Sequence, residues 1–263
     1  MTQRYKIKVE YIGSDFYGSQ KQPDKPTIQE ALENAICTLT KNNTKKIVLS
    51  GRTDAKVHAR GQVAHFDTSF DFNDDFKFIN AVNGILPQSI SVTEINKVES
   101  DFHAQLSAKA RWYRYRITNR IYRSPFDYHS LLVRNKLSVE RMNQSLSYLI
   151  GVHDFTSFKS VNTDNPAKVC NMLIAKCQRF PNDLIYFDFL ADRFLYKMIR
   201  TIIGTVLMIE KKSFDPSKMK EILDSKSRVN AGPTISPDGL TLMNVYYNKE
   251  NIMEAYNNEN LFS

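Results

Sequence analysis

The most informative stretch of this chain reads Gly51-Arg52-Thr53-Asp54-Ala55-Lys56-Val57-His58-Ala59-Arg60-Gly61-Gln62. It holds one carboxylate, and no other acid occurs between Glu33 and Asp67. Three cations surround Asp54 in sequence, namely Arg52, Lys56 and Arg60. Opposite charges held close favour the ionised form of a carboxylate. Since no cluster of metal-binding side chains accompanies Asp54, the stretch favours a nucleophile or a base over a cation site.

The segments around this stretch predict a regular order of strands and helices. Short apolar runs at 47–49 and 62–66 flank it and favour strands. The other strands are expected at 4–11, which alternates polar and apolar residues, and at 91–95. One helix is expected to follow Thr27, which forms a capping-box pattern with Glu30, and another to start at Asp75 and stop before Pro87. The first part of the chain therefore predicts the order β-α-β-β-α-β.

The rest of the chain predicts the same order with additional elements. Its strands are expected at 109–117, 169–180, 184–190 and 240–247. Its helices are expected to follow the capping residue Ser138, to span 194–210 and to follow Pro216. We therefore predict an α+β protein with two tandem halves, 1–100 and 101–263, each a ferredoxin-like split βαβ sheet. The polar tail 248–263 is expected to be loosely held.

Composition narrows the class of protein. A chain of 263 residues with 42% hydrophobic and 24% charged residues can bury a sizeable core. We find no apolar run long enough to span a membrane and no signal-peptide pattern. Three widely spaced cysteines predict buried thiols rather than disulfides. We therefore expect a cytoplasmic protein with no membrane partner.

The net charge of +8 has two interpretations. It can serve solubility, or it can attract a polyanion through clustered Lys and Arg. In the predicted helix 194–210 and the residue just before it, Arg193, Lys197 and Arg200 recur at helical spacing with no acid between them, followed by Gly204. A solvated face is the alternative for such a row, but Gly204 would let a backbone or a nucleotide approach closely. We favour the polyanion for this face.

A second basic stretch alternates aromatic and cationic residues in the predicted strand 109–117. Tyr113 and Tyr115 share one face, and Arg114 and Arg116 share the other. Core tyrosines with outward arginines would produce this pattern. That arrangement accounts for most such strands, but a ring that stacks on an unpaired base, worth about 1–3 kcal/mol, with arginines on phosphate would produce the same pattern. The strand alone leaves both interpretations open.

No metal site and no cofactor site is predicted. The five histidines lack the clustered spacing of metal ligands, and structural histidines are more common than ligands. The chain also lacks a glycine-rich phosphate-binding motif, so a nucleotide cofactor is not expected.

Several motifs together resemble the tRNA pseudouridine synthase A family, and the resemblance runs along nearly the whole chain. The aspartate stretch resembles the family's signature. The others, in chain order, are Phe16-Tyr17-Gly18, Thr27-Ile28-Gln29-Glu30, Phe102-His103-Ala104, Arg111-Trp112-Tyr113-Arg114-Tyr115, Gly151-Val152-His153-Asp154-Phe155, Met198-Ile199-Arg200 and Ala231-Gly232-Pro233-Thr234. The resemblance implies the pseudouridine synthase fold with a basic cleft between its halves, a homodimer, and tRNA as substrate.

The resemblance also implies a reaction and its residues. Uridine would be isomerised to pseudouridine in the anticodon stem-loop, at tRNA positions 38, 39 and 40, with no cofactor. Asp54 would be the catalytic aspartate, Tyr113 the ring stacked on the base, and Arg200 the partner of the aspartate. Arg52 would contact the RNA and help to flip the nucleotide out. The basic residues expected to bind RNA are Arg52, Lys56, Arg60, Arg114, Arg116, Arg193 and Lys197.

This chain departs from the family pattern at several positions. Lys56 replaces a usual glycine inside the signature, and if it needs a positive φ it strains the loop by about 1–3 kcal/mol. Ser19, Gln105 and Lys197 replace a usual tryptophan, arginine and histidine. Two alternatives to a synthase are therefore kept. One is a non-catalytic RNA-binding protein on the same scaffold, and the other is a metal-dependent hydrolase using Asp54, His58 and His65.

Overall fold

The computed structural model describes residues 2–41, 43–44, 46–72, 74–160 and 167–260, which divide into two compact units. Within those limits the first unit contains residues 2–109 and 241–260, and the second contains 110–240. The sequence predicted one boundary between the two halves, near Ser100, and assigned all later residues to the second half. The division differs because the last strand and the segment after it return to the first unit.

The elements follow the predicted order closely. The strands are β1 (Gln3–Tyr11), β2 (Val48–Leu49), β3 (His58–Thr68), β4 (Ile90–Val98), β5 (Ala110–Thr118), β6 (Leu131–Leu132), β7 (Gly151–Asp154), β8 (Val169–Phe180), β9 (Leu184–Ala191) and β10 (Leu240–Tyr246). The α-helices are α1 (Ile28–Leu39), α2 (Asp75–Ile85), α3 (Val139–Ser147), α4 (Met198–Lys211), α5 (Lys218–Asp224) and α6 (Ile252–Asn260). The first four strands and first two helices confirm the predicted β-α-β-β-α-β series. None of the helices among the described residues is long and apolar enough to cross a membrane.

Two helices begin where the sequence placed their caps. The Thr27 hydroxyl accepts the Glu30 N–H at 3.4 Å, and the Ser138 hydroxyl accepts the Arg141 N–H at 3.3 Å. Each bond satisfies one of the donors that the first turn of a helix leaves without an intrahelical partner. Both predicted caps are confirmed.

The sheet of the first unit places β3 at its centre. β1 pairs antiparallel with both β3 and β4, and β10 pairs parallel with β3 through Thr241 opposite His58. Alternate residues of β1 point into the core, where Ile7 and Val9 are completely buried together with Phe66 of β3. The start of β3 is thus held between β1 and β10, and it carries the end of the aspartate stretch.

The second unit is built on the antiparallel order β5-β9-β8-β7, with β6 pairing parallel to β5. The predicted hairpin of β8 and β9 is confirmed, and Asn182 and Asp183 of its turn both have a φ of 62°, a conformation that Asn and Asp tolerate. The predicted repeat is incomplete here. β6 and β7 are additional strands, and almost all of the closing strand β10 belongs to the first unit.

One predicted helix begins later than the sequence indicated. The residues before Met198 are not helical, because Lys197 has a left-handed φ of 61° and the Met198 N–H donates to the Leu195 carbonyl at 3.0 Å. The apolar spacing continued through this turn, which is why the pattern extended the helix back to Phe194. Arg193 and Lys197 therefore lie outside α4.

The polar tail is also more ordered than predicted. Its helix α6 buries Ile252 and Tyr256, which are 6% and 0% exposed. The Glu259 carboxylate accepts hydrogen bonds from Asn244 at 2.7 Å and from the Tyr246 hydroxyl at 3.0 Å. The prediction of a loosely held tail was wrong for residues 252–260, because two apolar residues one turn apart suffice to attach a helix that is otherwise rich in Asn and Glu.

All three cysteines are free, as predicted; Cys170 and Cys177 are buried, whereas Cys37 is only half-buried. Burial raises the pKa of both buried thiols to about 12. They therefore act as small apolar side chains of the second unit.

A buried histidine makes the stability of the first unit depend on pH. The His65 ring is 5% exposed, and its Nδ1 accepts the Ala104 N–H at 3.1 Å. Burial, followed by the positive charges of Arg4 and His103, lowers the pKa of His65 to about 4, against a smaller raising effect of Asp67. The folded protein therefore keeps this ring neutral at pH values where the unfolded chain protonates it.

We predict that the free energy of unfolding falls as the pH decreases from about 6.5 towards 4, by on the order of 1–2 kcal/mol from this residue. The sign follows because the unfolded state binds the proton first. Urea unfolding of wild type and His65→Asn, whose amide oxygen can also accept the Ala104 N–H, measures the effect. An equal pH dependence of the two proteins over this range would contradict it.

Candidate functional site

Asp54 lies at the start of a tight turn that precedes β3. Its carbonyl accepts the Val57 N–H at 3.2 Å, and Lys56, at the third position of the turn, has a φ of 67°. The Lys56 N–H donates to the Phe16 carbonyl at 3.3 Å, which ties the turn to the loop after β1. The condition under which Lys56 would strain the loop, a positive φ, is therefore met. A lysine thus occupies a conformation that costs a residue with a Cβ about 1–2 kcal/mol.

A buried polar network lies directly beneath the turn. The Tyr11 hydroxyl and the Thr53 hydroxyl are 2.8 Å apart, and the Gln62 amide donates to Tyr11 at 3.4 Å and to the Gly51 carbonyl at 3.1 Å. The Ser50 hydroxyl donates to the Gln62 oxygen at 2.6 Å. Burial raises the pKa of Tyr11 to about 12, so this hydroxyl stays neutral. The network therefore fixes both ends of the segment 50–53.

A second pair of contacts fixes the residue that precedes Asp54. The Thr53 N–H donates to the Ser19 hydroxyl at 2.8 Å, and the Ser19 N–H donates to the Thr53 carbonyl at 3.1 Å. Gly18 has a φ of 101°, and a Cβ there would lie 2.9 Å from the Thr53 carbonyl oxygen. Only glycine allows this approach without strain. Ser19, Tyr11 and Gln62 are positioning residues that the sequence analysis missed.

The side chains of the turn divide by exposure. Thr53 and Val57 are buried, Asp54 is half-buried, and the three cations of the stretch are exposed. The turn therefore presents one carboxylate, held by buried neighbours, within a solvated basic surface. Such an arrangement suits a nucleophile or base that acts on an anionic substrate.

The two histidines of the hydrolase alternative are engaged by the backbone. His58 Nδ1 accepts the Gly13 N–H at 3.0 Å, and His65 Nδ1 accepts the Ala104 N–H. Within the described ranges, no group of three or more His, Cys, Asp and Glu side chains is arranged to hold a metal ion. These contacts give the metal-dependent hydrolase no support.

In the second unit, Tyr113 lies on β5 and is 9% exposed. Phe194 contacts it edge to face, with ring centroids 5.2 Å apart and planes at 84°. Tyr115 is fully buried, and its hydroxyl donates to the Ser236 carbonyl at 2.8 Å. Tyr115 is thus a core residue, whereas the Tyr113 ring is held in a fixed orientation by an aromatic neighbour.

The arginines of β5 do not form an outward basic row. Arg114 is 4% exposed, and its guanidinium donates to the Asp188 carboxylate at 2.8 and 3.1 Å. The rings of Trp112 and Tyr186 lie 5.1 and 5.0 Å from it. The pair with Asp188 makes Arg114 a structural residue, because a buried carboxylate opposite the strand requires a counter-charge. Arg116 is partly exposed and lies 3.4 Å from Asp127.

Arg200 is held on α4 by the loop that follows Gly232. Its Nε donates to the Ile235 carbonyl at 2.8 Å, and the Ile235 N–H donates back to the Arg200 carbonyl at 3.4 Å. A Cβ on Gly204 would lie 1.8 Å from the Pro233 carbonyl oxygen. Gly204 therefore lets a backbone segment approach, which is one of the two possibilities that the sequence suggested. That segment also fixes Arg200.

The predicted row of three cations on one helical face is not formed. Arg193 is exposed beside Asp192, 3.5 Å away, and Lys197 lies over the Tyr196 ring at 4.9 Å. Both precede α4, because the left-handed Lys197 interrupts the helical repeat. Arg200 is the one member of the row that the helix carries.

Comparison with known proteins identifies relatives of this chain. Residues 7–106 and 146–248 match the model of a family described as tRNA pseudouridine synthase. A protein named tRNA pseudouridine synthase A from Ehrlichia canis is 43% identical over 248 residues, which cover 93% of this chain and 100% of that protein. One of the same name from Geobacillus kaustophilus is 38% identical over 256 residues, covering 97% and 98%. Asp54 and Arg200 lie inside the matched ranges, and Tyr113 lies between them.

We predict that Lys56→Gly raises the free energy of unfolding by about 1 kcal/mol, because glycine removes the cost of a Cβ at positive φ. Lys56→Ala is the matched control, since it removes the same charge but keeps the strained Cβ. Thermal or urea unfolding of the three proteins measures the difference. Equal stability of the glycine and alanine variants would contradict this account of the turn.

Proposed function

Because the chain belongs to the tRNA pseudouridine synthase family, we propose that it isomerises uridine to pseudouridine in tRNA with Asp54 as the catalytic carboxylate. The observation that carries this proposal is the Asp54 turn, which is anchored by the buried Tyr11, Thr53 and Gln62 network and surrounded by exposed cations. A single oriented carboxylate is what the reaction requires from the protein.

The proposed chemistry leaves the composition of the substrate unchanged, and one hydrogen is exchanged with solvent. The glycosidic bond between C1′ and N1 breaks, the uracil ring turns, and a bond forms between C1′ and C5. The hydrogen at C5 leaves as a proton, and N1 gains one. Asp54 acts on the sugar, either as a nucleophile at C1′ or as a base, and it is regenerated. No redox change occurs, so the scheme needs no cofactor.

We assign two further roles to the second unit. Tyr113 supports the flipped uracil by stacking, a contact worth about 1–3 kcal/mol, and its fixed edge-to-face contact with Phe194 orients the ring for this. Arg200 pairs with Asp54 during the reaction, and a guanidinium can bind a carboxylate through two hydrogen bonds. The loop contact of its Nε with Ile235 limits the movement of that guanidinium.

We keep as proposed RNA-binding residues those predicted cations whose side chains are at least partly exposed. Arg52 contacts the RNA and helps to flip the nucleotide out, at a cost of a few kcal/mol that is lowest near a loop. The other cations that we propose to contact phosphates are Lys56, Arg60, Arg116, Arg193 and Lys197. Arg114 is left out of this set, because its buried pair with Asp188 serves the interior of the second unit.

The finer assignments are also proposals. We propose that the target uridines are at positions 38, 39 and 40 of the anticodon stem-loop, that the protein acts as a homodimer, and that it works in the cytoplasm. The shape of the substrate supports the proposed target positions, because a nucleotide beside a loop is easier to flip out than one inside a long stem.

We predict that Asp54→Asn reduces the release of tritium from tRNA labelled at uracil C5 by on the order of a thousandfold or more, while tRNA binding stays within a few-fold of wild type. The label reports the reaction directly, because C5 exchanges its hydrogen for a bond to the sugar. Asp15→Asn is the control, since Asp15 is an exposed carboxylate in the loop after β1.

Two outcomes would contradict the proposal. If wild type and Asp54→Asn bind tRNA equally and neither releases label, the protein is a non-catalytic RNA-binding protein. If a chelator abolishes the activity, the result supports the metal-dependent hydrolase instead.

A further inference from the structure

The second unit contains an open depression of about 880 Å³ that lies around the start of α3. Four cations and two carboxylates line it, namely Arg120, Arg134, Lys136, Arg179, Glu140 and Glu210. We call this the cationic depression. Its lining comes from four parts of the chain: residues 119–121, residues 134 and 136–140, Arg179, and Glu210.

Both carboxylates of the depression are already engaged by the protein. Glu210 accepts the Ser138 N–H at 3.2 Å and the Arg141 Nε at 3.0 Å. Glu140 accepts the Ser138 hydroxyl at 2.9 Å, and its own backbone N–H and that hydroxyl hold its pKa below the usual value. The negative charges therefore stabilise the start of α3 and its contact with α4, and a net positive charge remains.

The segment that carries two of the cations is clamped by hydrogen bonds. The Asn119 amide donates to the Val133 carbonyl at 3.0 Å and the Asn135 carbonyl at 2.7 Å, and Arg179 donates to the Leu137 carbonyl at 3.1 Å. Arg134 and Lys136 project from this fixed backbone, are exposed, and form no ion pair with another described residue. A rigid backbone lowers the entropy cost of binding through these side chains.

Exposed aromatic rings follow Ile121, which lines the depression. Tyr122 is 79% exposed, Phe126 is 92% exposed and Tyr128 is 69% exposed. The Arg120 Nε donates to the Tyr122 carbonyl at 2.8 Å, which ties this cation to the backbone of the aromatic segment. Alternating exposed rings and cations are typical of surfaces that bind single-stranded or distorted nucleic acid, where bases stack on the rings and cations contact phosphates.

We propose that the cationic depression is a second RNA contact, at which Arg134 and Lys136 bind phosphates of the tRNA backbone away from the reacting uridine. The proposal rests on the proposed function only in taking tRNA as the RNA. A polyanion suits the surface, since the four cations exceed the two engaged carboxylates. Most residues of the surface lie in the segment 119–140, which falls between the two ranges that match the family model. Arg179 and Glu210 are the exceptions and lie inside the second range.

The test uses the full-length protein and a tRNA transcript. We expect Arg134→Ala/Lys136→Ala to weaken tRNA binding at low salt and to reduce the slope of log K against log salt by about 1.5, which is roughly two phosphate contacts. Lys211→Ala/Lys220→Ala is the matched control, because it removes the same charge from exposed positions of the same unit that do not line the depression. Arg134→Lys/Lys136→Arg should retain most of the slope.

Each remaining outcome overturns the proposal. An unchanged slope in the alanine double variant, or an equal change in the control, would show that these cations contribute no specific contact. Inorganic phosphate that binds wild type but not this variant, with no change in tRNA affinity, would assign the depression to a small anion. Loss of a dimer in sedimentation would assign it to a second copy of the chain. Pseudouridine formation by wild type tests the proposed function separately, so the two failures are distinguishable.

Discussion

The hydrogen bond between the Tyr11 and Thr53 hydroxyls is the contact on which the arrangement of the aspartate turn depends. Tyr11 ends β1 and Thr53 precedes the catalytic candidate Asp54, so this 2.8 Å contact joins the sheet to the turn. Gln62 completes it from β3, which makes three neighbouring segments meet at one buried point. Because an unsatisfied buried hydroxyl costs about 1–3 kcal/mol, each member of the network favours this single arrangement over alternatives.

Strain and support are balanced in the same turn. Lys56 adopts a positive φ that disfavours any residue with a Cβ, whereas Gly18 uses its freedom to approach the Thr53 carbonyl. The strained lysine adds a cation to the surface next to Asp54. We interpret this as an exchange of some local stability for charge that favours RNA, an exchange that functional loops commonly show.

The sequence predicted the elements of the fold better than their ends and their contacts. Caps such as Thr27 and Ser138 were predictable because a hydroxyl before a helix binds a nearby N–H. The start of α4 was not, because the apolar spacing continues through the left-handed Lys197. The return of residues 241–260 to the first unit was not predictable either, since strand pairing over long distances leaves no local pattern.

The site shows the same limit. The aspartate turn was visible as one acid among cations, but its support by Tyr11, Ser19 and Gln62 depends on contacts across up to 51 residues of sequence. Arg114 looked like an RNA-binding residue because alternation on a strand cannot reveal a buried carboxylate on the neighbouring strand. Only the pairing of β5 with β9 places Asp188 opposite it.

The most direct test of the central claim is the single-turnover rate of pseudouridine formation by Thr53→Val, which keeps the shape of the side chain and removes its hydroxyl. If the buried network positions Asp54, the rate falls by about tenfold to a hundredfold while the tRNA dissociation constant changes little. Thr68→Val, another buried threonine of the first unit, is expected to leave the rate within twofold of wild type. An unchanged rate in Thr53→Val would contradict the claim.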